Sequence, residues 1–270
     1  MPELPEVETV RKGIEPIVTG QKILVVQRST DHLRGNFTIE AGKGLPGKII
    51  HGTQRQGKYL LLSLSTQEVL MIHLGMSGQL LINPSNTTVH DHLCVSLSQN
   101  NKLVYRDPRR FGMLSLYDSI SVFEKEKQLG PDGISPTLTP TYIRQSCQHK
   151  HKTIKALLMD QKIIAGIGNI YASEILFAAQ VSPLKPANRL TANEYRQIIF
   201  YTKQILRTAI IAGGTSLKDH RQANGKLGYF QQKLKVYNKT GTACSMCNSV
   251  IQRCIQEGRA TFYCPKCQQI

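Results

Sequence analysis

The feature that most constrains this chain lies near its C-terminal end, where four cysteines are spaced Cys244-x2-Cys247-x16-Cys264-x2-Cys267. Two CxxC knuckles at this separation let four thiolates close a tetrahedron around Zn²⁺ with no coordination position left open, so the site reads as structural. A tail this short needs the metal to fold; in zinc-finger peptides such binding is worth ~10–16 kcal/mol. Cys254 lies between the knuckles as the odd member, a spare or packing thiol, and Cys94 and Cys147 read as buried thiols. The acidic N-terminus has no apolar leader segment, so metal binding is expected before disulfides, in a cytoplasmic protein. No apolar run approaches the ~20 residues of a membrane span.

Charge narrows the partner. Up to Gly130 the chain carries 15 basic against 12 acidic residues; beyond it the count is 19 against 6, out of a net +16. A half this one-sided suggests a polyanion, and nucleic acid is the expected one. Arg253 and Arg259, in the loop between the knuckles, suit a finger that grips a phosphate backbone.

The periodicity changes along the chain. Residues 48–117 read as short strands, among them YLLLSL, VLMIHL and QLLI. Leu93, Val95 and Leu97 alternate with His92, Cys94 and Ser96 as in a half-buried strand. A sheet or sandwich packed by the first helix is expected, with Val7, Val10 and Ile14 on the packed face. The segment QLGPDGISPTLTP (128–140) breaks all periodicity and marks the domain boundary. Beyond it, Thr191 and Glu194 form a capping-box pair. Tyr195, Ile198, Ile199, Thr202, Ile205, Leu206 and Ala209 follow on one helical stripe that Gly213 and Gly214 end. TIKALLMDQKIIAGIGNIYASEILFAA gives two helical stretches broken by AGIGN, approached by Lys150, Lys152 and Lys155. A DNA-binding unit and an ordinary helical hairpin both fit that pattern.

The start, MPELPEVETV, is only half explained by helix chemistry. Pro5 and the nearby acids Glu3, Glu6 and Glu8 suit the first turn of a helix and its dipole. Pro2 is not accounted for.

Taken together, PELPEVET, GKYLLL, HLGMSG, HDH, DPRRFG, GIGNIYASE, GGTSLKD, GYFQQ and GRATFYCPKCQ resemble the bacterial formamidopyrimidine-DNA glycosylases along the whole chain. PELPEVET favours this branch over the sister endonuclease VIII family, whose start reads PEGPE. The resemblance implies an α+β fold: an N-terminal helix plus two-layer β-sandwich (1–130), a helical DNA-binding domain with a helix–two-turns–helix (131–235), and a zinc-finger β-hairpin (236–270). It implies a monomeric glycosylase and abasic-site lyase acting on double-stranded damaged DNA, with one structural Zn²⁺ and no membrane. Oxidised purines (8-oxoguanine and formamidopyrimidines) are the expected lesions. Pro2, freed of Met1, corresponds to the nucleophile on C1′, Glu3 to its acid/base partner, and Lys58 and Arg259 to clamps on the phosphates cut by β,δ-elimination. Met76, Arg109 and Phe111 correspond to the residues that fill the gap left by an everted nucleotide, and His90, Lys150 and Asn169 to DNA contacts. The glycine-rich segment 213–230 corresponds to one that closes over the lesion, and Glu6 and Glu174 take structural roles. A non-catalytic damage sensor and a lyase for oxidised pyrimidines remain the rival readings.

Overall fold

Helix α1 (Leu4–Val18) starts where Pro5 and its flanking acids place it, with Glu3 as N-cap and a Glu3–Glu6 capping box. The Glu3 N–H donates to Glu6 Oε2 at 2.8 Å, so one of the orphan donors at the helix start is satisfied by a side chain. The computed structural model describes residues 1–29, 33–215 and 230–270. They divide into two units, Met1–Gln128 with Ala212–Gln231, and Leu129–Ile211 with Gln232–Ile270.

In the first unit, strand β1 (Ile23–Arg28) and short helix α2 (Ile39–Lys43) follow α1. Then come β2 (Ile50–Gln56), β3 (Tyr59–Leu64), β4 (Val69–His73), β5 (Gln79–Ile82), β6 (Asp91–Leu97), β7 (Lys102–Arg106), β8 (Met113–Tyr117) and helix α3 (Ile120–Lys127). Two four-stranded antiparallel sheets result, in the orders β1-β6-β7-β5 and β2-β3-β4-β8. Leu60, Leu62 and Ile72 of one sheet share a core with Leu80, Leu93 and Val95 of the other. Val7, Val10 and Ile14 of α1 join it, the face expected from their spacing.

One strand was not anticipated and one local reading is corrected. β1 has a largely exposed burial pattern, so its period-2 signal was too weak to announce an edge strand. His92, read as facing outward, is 0 % exposed. The register of β6 on β7 shifts between Asp91 and Leu93, and a bulge of this kind turns a side chain that strict alternation would have placed outside.

The second unit holds α4 (Pro140–Cys147), α5 (Ile154–Leu158), α6 (Asn169–Ala178), α7 (Ala192–Ile211) and the hairpin β9 (Gln252–Gln256) and β10 (Arg259–Tyr263). Threonines cap the helices: Thr139 Oγ1 accepts from Tyr142 N–H at 3.1 Å and Thr153 Oγ1 from Ala156 N–H at 3.4 Å. Before α7 the capping box is reciprocal, Glu194 N–H to Thr191 Oγ1 at 3.2 Å and Thr191 N–H to Glu194 Oε2 at 2.6 Å. The first helical stretch before AGIGN ends at Leu158, shorter than its sequence suggested. The turns that follow are braced by Gln161, whose amide donates to Met159 O at 2.9 Å and Ile167 O at 2.8 Å and accepts from Gly166 N–H at 2.9 Å. Cys147 is buried, whereas Cys94 is half-buried.

Candidate functional site

The start of the chain is held inside the first unit. Pro2 is buried, Glu3 and Glu6 are each 2 % exposed, and Met1 is 39 % exposed. Glu6 Oε1 accepts from Thr215 N–H at 2.7 Å and Thr215 Oγ1 at 2.9 Å, tying α1 to the segment that follows α7. Gly214 (φ +77°) packs on Glu6, where an added Cβ would come within 3.1 Å of its Cγ. Chain ends usually fray unless tied down; this one is clamped from two sides. Of the glycine-rich segment 213–230, residues 216–229 lie outside the described residues.

Lys58 sits in the β2–β3 turn and is only 5 % exposed. The next residue, Tyr59, pairs across the sheet with His73, and their rings lie 5.2 Å apart. Burial, then the charges of Lys58, Lys127 and Arg34, pull the His73 imidazole down to a pKa of about 4. Its Nδ1 accepts from Gly75 N–H at 3.1 Å. His73 is therefore neutral at pH 7, with Lys58, Lys127 and Arg34 as the charges that act on it. Because the unfolded chain protonates His73 near its ordinary value and the folded one does not, its contribution to stability is complete above pH 6.5 and is lost as pH falls toward 4. Denaturant melts of the chain and of His73→Gln at pH 7 and pH 4.5 should differ by about 1–2 kcal/mol in their acid-induced loss, after discounting for solvent screening. Equal losses would show that His73 is not held neutral.

Met76 lies on one loop of this unit, and Arg109 and Phe111 on another that touches it at Gly75. Met76 and Phe111 are 38 % and 41 % exposed, large apolar side chains held outside the core. The Arg109 guanidinium lies 4.9 Å from the centroid of the Phe111 ring, with Arg34 at 5.8 Å. Gly75 (φ +63°) allows the loops to touch: a Cβ there would fall 2.5 Å from Gly112 N and Phe111 C. Half-buried His90 adjoins them, its carbonyl accepting from Asp107 N–H at 2.9 Å.

In the second unit Asn169 opens α6 and reaches the hairpin. Its Nδ2 donates to Ala260 O at 2.9 Å, and its Oδ1 accepts from Lys155 Nζ at 2.6 Å. Lys155, 2 % exposed, also donates to Thr261 Oγ1 at 2.7 Å and Ala260 O at 3.2 Å. Arg259, exposed beside Ala260, follows the turn of Glu257 (φ +47°) and Gly258 (φ +72°). Lys152, Lys155 and Arg259 line one depression there. Lys150 is exposed on the turn after α4, and no hydrogen bond among the described residues joins its side chain to Asn169 or Arg259. Glu174 accepts from the N–H groups of Lys235, Val236 and Tyr237 at 2.8–2.9 Å, fixing the entry to the tail.

The sulfurs of Cys244, Cys247, Cys264 and Cys267 all lie within 4.8 Å of one another. Cys244 to Cys267 is 3.9 Å and Cys247 to Cys264 is 3.4 Å. A tetrahedral Zn–S₄ site with bonds of ~2.3 Å needs sulfurs about 3.8 Å apart. The four cysteines could thus hold one metal ion. Cys254 stands outside the cluster, opposite Thr261 in the hairpin.

Residues 1–114 match the model of the formamidopyrimidine-DNA glycosylase N-terminal domain, and residues 129–221 that of the formamidopyrimidine-DNA glycosylase H2TH domain. The chain belongs to the formamidopyrimidine-DNA glycosylase family. Formamidopyrimidine-DNA glycosylases of a Bradyrhizobium species and of Dinoroseobacter shibae are each 38 % identical to it over the full length of both chains. A mutant Lactococcus lactis glycosylase of the family, crystallised with DNA containing Fapy-dG, superposes with a TM-score of 0.93 at 35 % identity over all of both chains. The wild-type L. lactis protein bound to DNA containing an oxidised pyrimidine gives 0.91 at 35 % over the same extent. Among the described residues no helix is long and apolar enough to cross a membrane.

Proposed function

We propose that the chain is a bifunctional DNA glycosylase and abasic-site lyase of base excision repair that removes oxidised purines from duplex DNA. The observation that carries this reading is the buried, clamped start of the chain, with Pro2 and Glu3 enclosed. Once Met1 is removed, Pro2 offers a secondary amine with a pKa near ~8, partly unprotonated at neutral pH. Its nitrogen forms a bond to C1′ as the bond from C1′ to the damaged base breaks, giving an iminium with the opened sugar. Glu3 moves the protons that ring opening requires. Lys58 and Arg259 hold the flanking phosphates as β- and then δ-elimination cut both, leaving a one-nucleotide gap; an arginine, with a pKa above ~12, acts there as an electrostatic clamp. Met76, Arg109 and Phe111 fill the gap in the stack, and His90, Lys150 and Asn169 contact the DNA. The four cysteines hold one structural Zn²⁺ that does no chemistry. In this reading residues 1–130 carry the reaction, 131–235 and 236–270 grip the duplex, and the protein works as a cytoplasmic monomer.

Oxidised pyrimidines are the second reading, favoured by the L. lactis complex with such DNA. Borohydride reduction during reaction with 8-oxoguanine and thymine-glycol duplexes separates the two. Covalent capture at residue 2, faster with 8-oxoguanine, is expected. Faster capture with thymine glycol would move the lesion class, and no capture with either would leave a damage sensor.

A further inference from the structure

Asp107 is 0 % exposed, and both its carboxylate oxygens are engaged by neutral donors. Oδ1 accepts from Ser77 Oγ at 2.6 Å and Arg109 N–H at 3.3 Å. Oδ2 accepts from Gly112 N–H at 2.8 Å and Tyr105 OH at 3.1 Å. A carboxylate buried away from water is costly unless hydrogen bonds converge on it, so four donors aimed at one side chain mark a built feature. The Tyr105 phenol is pushed far up by burial and by that same carboxylate, which keeps it a donor.

Three of the four donors come from the two wedge loops, and Tyr105 comes from β7. Ser77 follows Met76 in HLGMSG, whereas Arg109 and Gly112 flank Phe111 in DPRRFG. Ser77 Oγ also accepts from Arg109 N–H at 3.2 Å, so hydroxyl, amide and carboxylate close a small ring across the two loops. The Asp107 carbonyl accepts from Arg110 N–H at 3.2 Å and is 2.9 Å from His92 Nε2. Asp107 and Pro108 thereby open a tight turn, and Arg110 leaves it at φ +55°, a conformation that non-glycine residues adopt only when their surroundings enforce it. This turn sends Phe111 outward beside Arg109.

We infer that Asp107 is a positioning residue: its carboxylate locks the Met76 loop and the Arg109–Phe111 loop into one preformed wedge, so that neither has to be ordered when DNA is opened. The inference rests on the proposed function, in which those three side chains replace an everted nucleotide. A preformed wedge speeds the opening of the duplex and leaves the chemistry on an already unstacked sugar alone.

Asp107→Asn keeps the shape but points an amide donor at groups that are themselves donors. Two substrates separate its effects: a lesion duplex with 2-aminopurine beside the lesion, and a single-stranded oligonucleotide carrying an abasic site, which has no stack to open. The 2-aminopurine fluorescence rise and single-turnover excision on the duplex should both slow by at least about tenfold. Borohydride capture on the single strand should stay within about twofold of the wild-type chain. Equal losses on both substrates, or no loss on the duplex, would overturn the inference. If Asp107→Asn does not fold, Ser77→Ala removes one of the four donors and is held to the same split, at about threefold on the duplex. A wild-type chain that gives no capture on either substrate overturns the lyase reading itself, and this inference with it.

Discussion

Protein carrying an uncleaved two-residue extension ahead of Pro2 should lose borohydride capture entirely on every substrate, while still binding lesion duplex. The extension turns the Pro2 nitrogen into an amide, whose lone pair is delocalised into the carbonyl and cannot attack C1′. Residue 2 is buried beside a clamped helix start, so the amine of the extension is displaced from the place that the Pro2 nitrogen holds. Pro2→Gly gives the opposite kind of result. An amine of similar basicity remains, so capture persists, but the ring that fixed its direction is gone, and a misplacement near 1 Å costs about 10²-fold in rate. Peptide mass of the captured species should place the adduct on residue 2 in both the wild-type chain and the glycine variant. Undiminished activity with the extension in place would refute the nucleophile assignment outright.

Chelation of the metal should unfold the C-terminal hairpin and leave the β-sandwich intact. The cluster of Phe177, Val236, Ile251 and Phe262 that packs with the cysteines is small, far short of what ~10–16 kcal/mol of metal binding contributes in comparable peptides. Loss of β9 and β10 removes Ala260 and Thr261 as partners for Asn169 and Lys155 and sets Arg259 adrift. Each lost charge-assisted contact to a phosphate is worth ~1.5–3 kcal/mol, so duplex affinity should fall at least about tenfold. Hydrogen exchange should show protection lost over residues 252–263 and retained in β2, β3 and β4. Cys264→Ser should reproduce the chelated state, and Cys254→Ser should keep one zinc per chain. Loss of zinc from Cys254→Ser, or a hairpin that survives chelation, would contradict the ligand assignment.

Much of the candidate site could be named from sequence because its parts are local. The CxxC spacing specifies four sulfurs, a threonine three residues before a glutamate specifies a helix start, and DPRRFG contains its own turn. The family resemblance carried Pro2, Met76 and Phe111, which composition alone would have left as a loose end and two core residues. Other features had no local signal. Lys155 reads as one more lysine in a basic run, yet it is buried between a helix tip and a hairpin more than 100 residues away in sequence. Lys58 had a signal only through the family resemblance; local pattern gives a lysine in a turn between strands, and its burial to 5 % exposure is a matter of packing. His92 escaped its alternation through a bulge that no local pattern announces.

The amino-acid sequence by itself announced the strand-rich 48–117 region and the capped helix after Thr191, brought out four cysteines that could hold a metal ion, and pointed to a polyanion partner, since periodicity, ligand spacing and net charge act over a few residues or over the whole chain. Tertiary structure alone decided which polar groups are buried and what faces them. The ring of Ser77, Asp107 and Arg109 and the neutral state of His73 both depend on desolvation by layers distant in the chain, and burial of that kind is a property of packing that no single segment encodes.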